Sequence, residues 1–576
     1  MKHEPNLKQC LRRAFFALAV AGALLDLPSV HAATITVTNA NDSGPGSLRQ
    51  ALADAHDGDT IDFDASVHGI PVSSGELVVD KSVTISGPGP NTLTVDAGYG
   101  YPSHRVFHIT NGVTVSISGL FISAGLADDR GGGILNDHST LTVSNCRIVG
   151  NSALGDGGGI YNDHSTLTVS TCTIGGNGVL GDGGGIYNDG SEGSATLTIT
   201  NSTLSGNSAI LDGGAIYSAG TEGSETLTIT NSSLSGNSAG GSGGGIASYA
   251  LGFSAMATLT INNSTLSGNS AGGGGGIYNT ADGHGSTTLA INNSTLSGNS
   301  AIGYGGGIVN VGVQASATLR INNSTLSGNS ASGAGGIYNA DNNGGATLTI
   351  ANSILKTGAS GENIVSNFGT VISNGYNLSN DDGGGFLTAT GDQINTDPLL
   401  GPLQDNGGPT FTHKLLTGSP AIDAGDPSFT PPPDYDQRGP GYNRVANGRV
   451  DIGAYEVQPP TPSYTAQVQP PINADGTSTF NVTRGVVPVK FNLTLGGVAT
   501  CDLPPATIAV TRTAGGVVGQ VNESVYSGNA DTGSNFRIDS CLYVYNLNSR
   551  ALGVGTYRVD ILINGQVVGN ASFGLN

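Results

Sequence analysis

The string Gly-Gly-Gly-Ile-Tyr-Asn, exact or slightly varied, recurs along this chain and places its isoleucine at Ile134, Ile160, Ile186, Ile216, Ile246, Ile277, Ile308 and Ile337. In most copies a Thr-Leu-Thr-Ile segment and then Ser-Thr-Leu-Ser-Gly-Asn-Ser-Ala follow, so the repeat is 26 to 31 residues long. A period of about 20 to 50 residues means a solenoid or a propeller, because one such unit cannot bury its own apolar face. The three parts are short, alternate with period two and end in Gly, Asn or Ser, the punctuation of strands and turns. Nothing in the array carries a helical period, which excludes helical repeats. A propeller blade needs four strands over roughly 40 to 50 residues. Three short strands in 26 to 31 residues predict one coil of a parallel β-helix.

The pleat then assigns the side chains. Ile160, Leu167, Val169 and Ile174 are expected to point inward, with Ile186, Leu197, Ile199 and Leu204 stacked on them from the next coil. Asn151, Asn177, Asn207, Asn237, Asn269, Asn299 and Asn329 recur at one turn and predict an amide ladder along the axis. Gly, 93 of 576 residues, belongs at corners where the chain bends without a Cβ. It does not recur every third residue and Pro numbers only 24, so collagen is excluded. Ser47-Leu48-Arg49-Gln50 is a capping box opening an amphipathic helix to about Ala55, a cap for the first coil.

Residues 1–33 read as a signal peptide. Lys2, Lys8, Arg12 and Arg13 precede an apolar run from Ala14 to Leu25, and Val30-His31-Ala32 supplies the small residues of a cleavage site. No later apolar run reaches the roughly 18 residues of a transmembrane helix. The expected product is an exported monomer, extracellular or on the cell surface, with no membrane span after signal removal. The 42 Asp and Glu against 21 Lys and Arg give a net charge of −21, which argues against nucleic acid as a partner. In an oxidising compartment Cys501 and Cys541 are expected to form a disulfide. Cys146 and Cys172 hold matching positions in adjacent repeats, compatible with a bridge or with two stacked thiols.

Three constellations carry candidate chemistry. Tyr161, Tyr187, Tyr217, Tyr278 and Tyr338 follow inward isoleucines and so form an outer column, broken at Ala247 and Val309, that could stack on sugars. Asp137-His138 and Asp163-His164 match in adjacent coils and offer ligands for a divalent metal. Asp156, Asp182 and Asp212 each precede a glycine run, and stacked carboxylates call either for a cation, calcium at these acidic loops, or for raised pKa values. No other cofactor is expected. Between 131 and 355 the basic residues are Arg147 and Arg320, against eleven acids scattered through loops.

A proline-rich linker over 458–466, centred on Pro459-Pro460-Thr461-Pro462, separates residues 467–576. These alternate like strands at regular spacing, from Phe480–Val482 to Val567–Phe573, and suggest an Ig-like β-sandwich. The whole reads as an all-β chain: a right-handed parallel β-helix solenoid over 34–395 with an N-terminal capping helix, a closing segment over 396–457, and the small sandwich.

The opening Thr36 to Phe63, with Gly46-Ser47-Leu48-Arg49-Gln50-Ala51, resembles the N-terminal signature of secreted bacterial right-handed parallel β-helix proteins. The paired Gly-Gly-x-Ile and Leu-Ser-Gly-Asn elements are similar to the Gly-Gly-Ala-Ile and Phe-x-x-Asn repeats of chlamydial polymorphic membrane proteins, which are adhesins. Asp397-Pro398-Leu399-Leu400-Gly401, Gly418-Ser419-Pro420-Ala421-Ile422-Asp423 and Asp451-Ile452-Gly453-Ala454-Tyr455-Glu456 resemble the choice-of-anchor segment that closes many such helices. Pro488-Val489-Lys490-Phe491 is similar to the Pro-x-Lys-Phe modules of bacterial surface proteins. The resemblance implies a non-catalytic adhesin or glycan-binding protein, with an extracellular glycan or a host or cell-surface protein as partner. Two other classes compete: a secreted polysaccharide lyase or hydrolase using Asp137, His138, Asp163 and His164 or loop acids from 360 to 450, and a passive stalk.

Overall fold

The computed structural model describes residues 32–98, 103–110, 112–459, 463–500, 506–521, 531 and 533–576. Residues 1–31 of the expected signal peptide, linker residues 460–462 and Cys501 lie outside these. The chain divides into two compact units between Gln458 and Pro459.

Among the described residues the first unit winds into four parallel sheets: thirteen strands on the Thr-Leu-Thr face, twelve on the Thr-Leu-Ser face, eleven on the Ile-Tyr-Asn face and seven on a Ser-Ala face. One full coil runs Ser194–Thr200, Thr203–Ser205, Ser208–Ala209 and Ile216–Thr221. The fourth strand corrects the expectation of three. Two residues are too short to show an alternation in sequence, yet Ser208 pairs with Ser238 and Ala209 with Ala239.

Coils stack in register, with Ile160 opposite Ile186, Asn162 opposite Asn188 and Leu167 opposite Leu197. Ile160, Leu167, Val169 and Ile174 are fully buried, and so are their counterparts in the next coil. They belong to one continuous core from Val37 to Leu387. Each fully buried aliphatic side chain contributes roughly 1.5–3 kcal/mol, and no coil could keep this burial alone. The amide ladder forms as the spacing predicts: Asn177 Nδ2 donates to Asn207 Oδ1 at 2.9 Å, and Asn207 Nδ2 to Asn237 Oδ1 at 3.0 Å.

The ends are sealed by different devices. A helix over Leu48–Asp54 buries Leu48, Ala51 and Leu52 at the head of the core. Ser47 Oγ accepts the Gln50 N–H at 3.2 Å, but the Gln50 amide donates to Asp54, so half of the predicted capping box forms. At the far end Phe386 and Leu387 plug the core. Residues 396–457, expected to close the helix, run back along its Thr-Leu-Ser face. Thr265 Oγ1 donates to the Phe411 carbonyl at 2.6 Å, Thr295 Oγ1 to Gln437 Oε1 at 2.6 Å, and Thr325 Oγ1 accepts the Ala454 N–H at 3.0 Å. Threonine hydroxyls in a column offer such an irregular segment the hydrogen bonds it lacks internally.

The second unit is a sandwich of two sheets, antiparallel except for one short pair. One holds Tyr464–Gln469, Val486–Leu495 and Leu542–Asn548, the other Ala506–Ala514, Gly555–Ile563 and Gln566–Leu575. Val487, Val489, Tyr545 and Leu547 of the first meet Ile508, Val510, Tyr557, Val559 and Phe573 of the second in a common core. No helix among the described residues is long and apolar enough to cross a membrane.

Candidate functional site

Tyrosines on the Ile-Tyr-Asn face alternate with buried isoleucines and stack along the axis. Ring centroids lie 4.7 Å apart between Tyr161 and Tyr187, and again between Tyr187 and Tyr217. Ala247 interrupts the motif, but Tyr249, two residues on and on the same side of the strand, fills the gap at 5.3 Å from Tyr217 and 5.8 Å from Tyr278. At the second interruption Tyr304, from the preceding turn, stacks on Tyr338 at 4.5 Å. Sequence reading missed both substitutes because neither occupies the motif position. The rings lie against one another, and Tyr161 and Tyr217 are only 3% and 9% exposed, whereas Tyr187, Tyr278 and Tyr338 are half-buried. Burial first raises the pKa values of Tyr161, Tyr187, Tyr217 and Tyr249, with neighbouring carboxylates next at Tyr161, Tyr217 and Tyr249 and the stacked tyrosines next at Tyr187.

Asp156, Asp182 and Asp212 stack beside these rings, each tying down the next coil. Asp156 Oδ1 accepts the Asp182 N–H at 2.9 Å, Asp182 Oδ1 the Asp212 N–H at 2.7 Å, and Asp212 Oδ1 the Ser242 N–H at 2.6 Å. Asp212 also accepts the Tyr249 hydroxyl at 2.7 Å. Burial raises the pKa of Asp182 to about 6, with the flanking carboxylates acting in the same sense and the Asp212 N–H against it. Among the described residues these three carboxylates do not converge as a ligand set.

Asp137-His138 and Asp163-His164 do come together. The two imidazoles stack with centroids 4.9 Å apart, and ligand atoms of His138, Asp163 and His164 lie within 4.8 Å of one another. His138 Nδ1 lies 2.6 Å from Asp137 Oδ1, and His164 Nδ1 2.5 Å from Asp163 Oδ1. His164 Nε2 meets the Ser191 carbonyl, and Arg130 reaches Asp163 Oδ2 at 3.2 Å. Burial works against a charged His164, but the contacts to Asp163 and the Ser191 carbonyl outweigh it and raise its pKa. Both His164 nitrogens face an acceptor, so a metal bound there would have to displace one of these contacts. His138 and His164 also adopt left-handed backbone, φ 47° and 48°, at the corner.

Two buried clusters escaped the sequence reading. Glu225, fully enclosed, accepts the hydroxyls of Ser218 at 2.7 Å and Ser248 at 3.0 Å. Burial raises its pKa to about 7, against the two hydrogen bonds. In the segment running back along the solenoid, the Arg438 guanidinium lies between the rings of Tyr442 and Tyr455, 3.9 and 3.8 Å from their centroids, and pairs with buried Asp436 at 2.6 Å. Nearby, Asp423, Asp451 and Glu456 approach one another. Burial raises Asp451 to about 6 and Glu456 to about 8. Both Asp451 oxygens already accept backbone N–H groups, from Asp423 and Val457 at 2.6 Å each, and Glu456 accepts those of Asp451 and Ala446. This knot fastens the segment.

A family model described as a right handed beta helix region matches residues 68–224. No curated protein matches the sequence. Among solved structures the chain is similar to the crystal structure of pectate lyase Pel9A, at 14% identity and a TM-score of 0.40, over 74% of this chain and 97% of that one. A likeness of that size says nothing of this chain's activity. The first unit has the fold of a right-handed parallel β-helix, matched by the family model over 68–224, and the second is a β-sandwich.

Proposed function

We propose that this is an exported, non-catalytic protein of the cell surface or surroundings that binds extracellular glycans and works in adhesion. The observation that supports it is the chemistry of the solenoid's outer faces. They present columns of hydroxyl and amide groups, and the ionisable columns among them are engaged in holding coils together, as Asp156, Asp182, Asp212 and His164 are. Neutral donors and acceptors at regular spacing suit polyhydroxy ligands. A lyase needs a base beside its carboxylates. Among the described residues Arg147 lies over the Phe121 ring at 4.8 Å and Arg320 stands exposed on the Thr-Leu-Thr face, neither ion-paired. Arg130, the one arginine of the array beside a candidate carboxylate, is spent on Asp163 at 3.2 Å and on the Tyr161 ring at 4.7 Å.

The signal peptide, the choice-of-anchor character of 396–457, an Ig-like Pro-x-Lys-Phe module over 467–576 and a Cys501–Cys541 bridge belong to the same proposal. They describe a chain built for an oxidising exterior. A glycan array with whole-cell adhesion is the test. Binding without turnover supports the reading. New reducing ends or unsaturated products on a pectin, alginate and glucan panel would replace it with the enzyme, and silence on both the array and cells with the stalk.

A further inference from the structure

The corner between the Thr-Leu-Thr and Thr-Leu-Ser faces changes character along the solenoid. In three successive coils it carries doubled amides, Asn262-Asn263, Asn292-Asn293 and Asn322-Asn323, where earlier coils have Ser170-Thr171, Thr200-Asn201 and Thr230-Asn231. The doublets coincide with the coils that face the loop 426–433. Between corner and loop lies a groove of about 720 Å³, lined by the corner amides with Tyr376 at the end of their row, and by Asp426, Phe429, Pro432 and Pro433 of the loop. The loop is held at its root: Arg449 Nε donates to the Gly425 carbonyl at 2.5 Å and its Nη2 to the Ala424 carbonyl at 2.9 Å.

The amides are ordered and incompletely used. Asn292 Nδ2 donates to Asn262 Oδ1 at 3.1 Å and Asn322 Nδ2 to Asn292 Oδ1 at 3.2 Å. Asn293, 2% exposed, spends its Nδ2 on Asn263 Oδ1 at 2.7 Å and the Tyr435 carbonyl at 3.1 Å. That fixes which way the amide points and leaves its buried Oδ1 without a partner. A buried acceptor without a partner is costly, and a ligand hydroxyl that reached it would satisfy it.

We infer that this groove seats the glycan and takes an extended neutral polysaccharide in preference to a polyuronate, an inference that rests on the glycan-binding reading above. One wall supplies amide donors and acceptors repeating every ~4.8 Å, the spacing of stacked strands, which suits successive sugar units lying along the axis. The loop supplies the Phe429 ring for apolar sugar faces, and Tyr376 closes the amide row at one end. Asp426 is the only charged residue among those lining the groove. Arg449, over the Tyr376 ring at 5.6 Å, is committed to the Gly425 and Ala424 carbonyls, so a polyuronate would meet the Asp426 carboxylate with no lining cation to balance its own.

Calorimetric titration of the full mature chain with cello-, manno- and xylo-oligosaccharides and with oligogalacturonate tests it. The expected result is binding of at least one neutral series, at least ten-fold weaker in Asn292→Ala and in Phe429→Ala. Phe429 lies on the loop outside the coil stack, so loss there with an unchanged melting temperature is not a folding defect. Neutral binding untouched by both substitutions, or binding of oligogalacturonate alone, overturns the groove while leaving glycan binding standing. Silence of the chain towards every glycan on a broad array overturns both.

Discussion

Cys172 stands where later coils have serine. Ser202, Ser232, Ser264 and Ser294 form a second ladder: Ser232 Oγ accepts the Ser202 N–H at 3.1 Å, and Ser202 Oγ donates to the Thr200 carbonyl at 2.8 Å. Cys146 and Cys172 extend it with sulfur, the Cys146 N–H facing Cys172 Sγ at 3.3 Å and that sulfur facing the Ser170 carbonyl at 3.2 Å. Of the two arrangements their spacing allowed, the structure holds free thiols. Cys172→Ser should therefore change stability by less than about 1 kcal/mol, since oxygen is the better acceptor. Cys172→Ala should cost about 1–3 kcal/mol by stranding the Cys146 N–H. Denaturant unfolding of both variants decides it, and equal losses would show that volume, not the hydrogen bond, matters. Asn207 belongs to the larger ladder, where its Oδ1 accepts from Asn177 backbone and side chain and its Nδ2 donates to Ile174 and Asn237. Asn207→Ala should cost about 3 kcal/mol or more, since several buried groups lose partners at once.

At the scale of a strand column, Glu225 shows how a coil departs from the repeat without breaking it. The inner amides Asn162, Asn188, Asn279 and Asn310 bond along the axis, while the two coils between carry Ser218 and Ser248. The neighbour opposite that column is Ala195, Ala257 or Ala317 in three other coils, Thr287, which donates to Asn279, in a fourth, and Glu225 in this one. A long carboxyl thus fills the space that two shortened side chains vacate and replaces their hydrogen bonds. Ser218→Asn, Ser248→Asn and Glu225→Ala made together should match or exceed the parent in thermal stability. Glu225→Ala alone should lose about 2–4 kcal/mol to the cavity and the unpaired hydroxyls. If the triple variant is no better than that single one, the columns are not exchangeable. The same column shows what was legible in the sequence. Inward aliphatics and the Asn151-to-Asn329 ladder repeat at fixed positions, so spacing alone revealed them. Glu225 and its serines compensate one another across coils, Tyr249 and Tyr304 replace ring positions from other sites, and Gln437 meets Thr295 from 142 residues away. Compensation between positions far apart in sequence leaves no period to read, and for the same reason the groove under the 426–433 loop was invisible.

Over the whole molecule, the net charge of −21 and the buried carboxyls act on stability in one direction. Burial raises Asp182 and Asp451 to about 6, Glu225 to about 7 and Glu456 to about 8, from ordinary values of 3.8 and 4.5. The folded state therefore binds more protons than the unfolded chain between about pH 4 and 8, and by linkage stability falls as pH rises through that window. The contribution of each group is fully present below its unfolded pKa and lost above its folded one. For Glu225, fully enclosed, this is on the order of 3 kcal/mol. His164 acts in the same sense, since its raised pKa stabilises the fold at low pH and ceases to once the ring deprotonates. Asp42 and Asp381 oppose them only at lower pH, because their hydrogen bonds hold them below the usual carboxylate range despite burial and are lost as pH falls. The solenoid should melt highest in mildly acidic buffer, near about pH 5, and lower near pH 8. Glu225→Gln should flatten the alkaline limb. Net-charge repulsion predicts the same trend, but salt separates the two: repulsion between exposed charges fades at about 0.5 M salt, while a buried carboxyl is screened far less. All of these groups lie before residue 459, in the first unit. A calorimetric scan should therefore show one transition that moves with pH even in high salt and a second, from the sandwich, that moves much less. Equal movement of both would place the pH dependence in overall charge and not in these carboxyls.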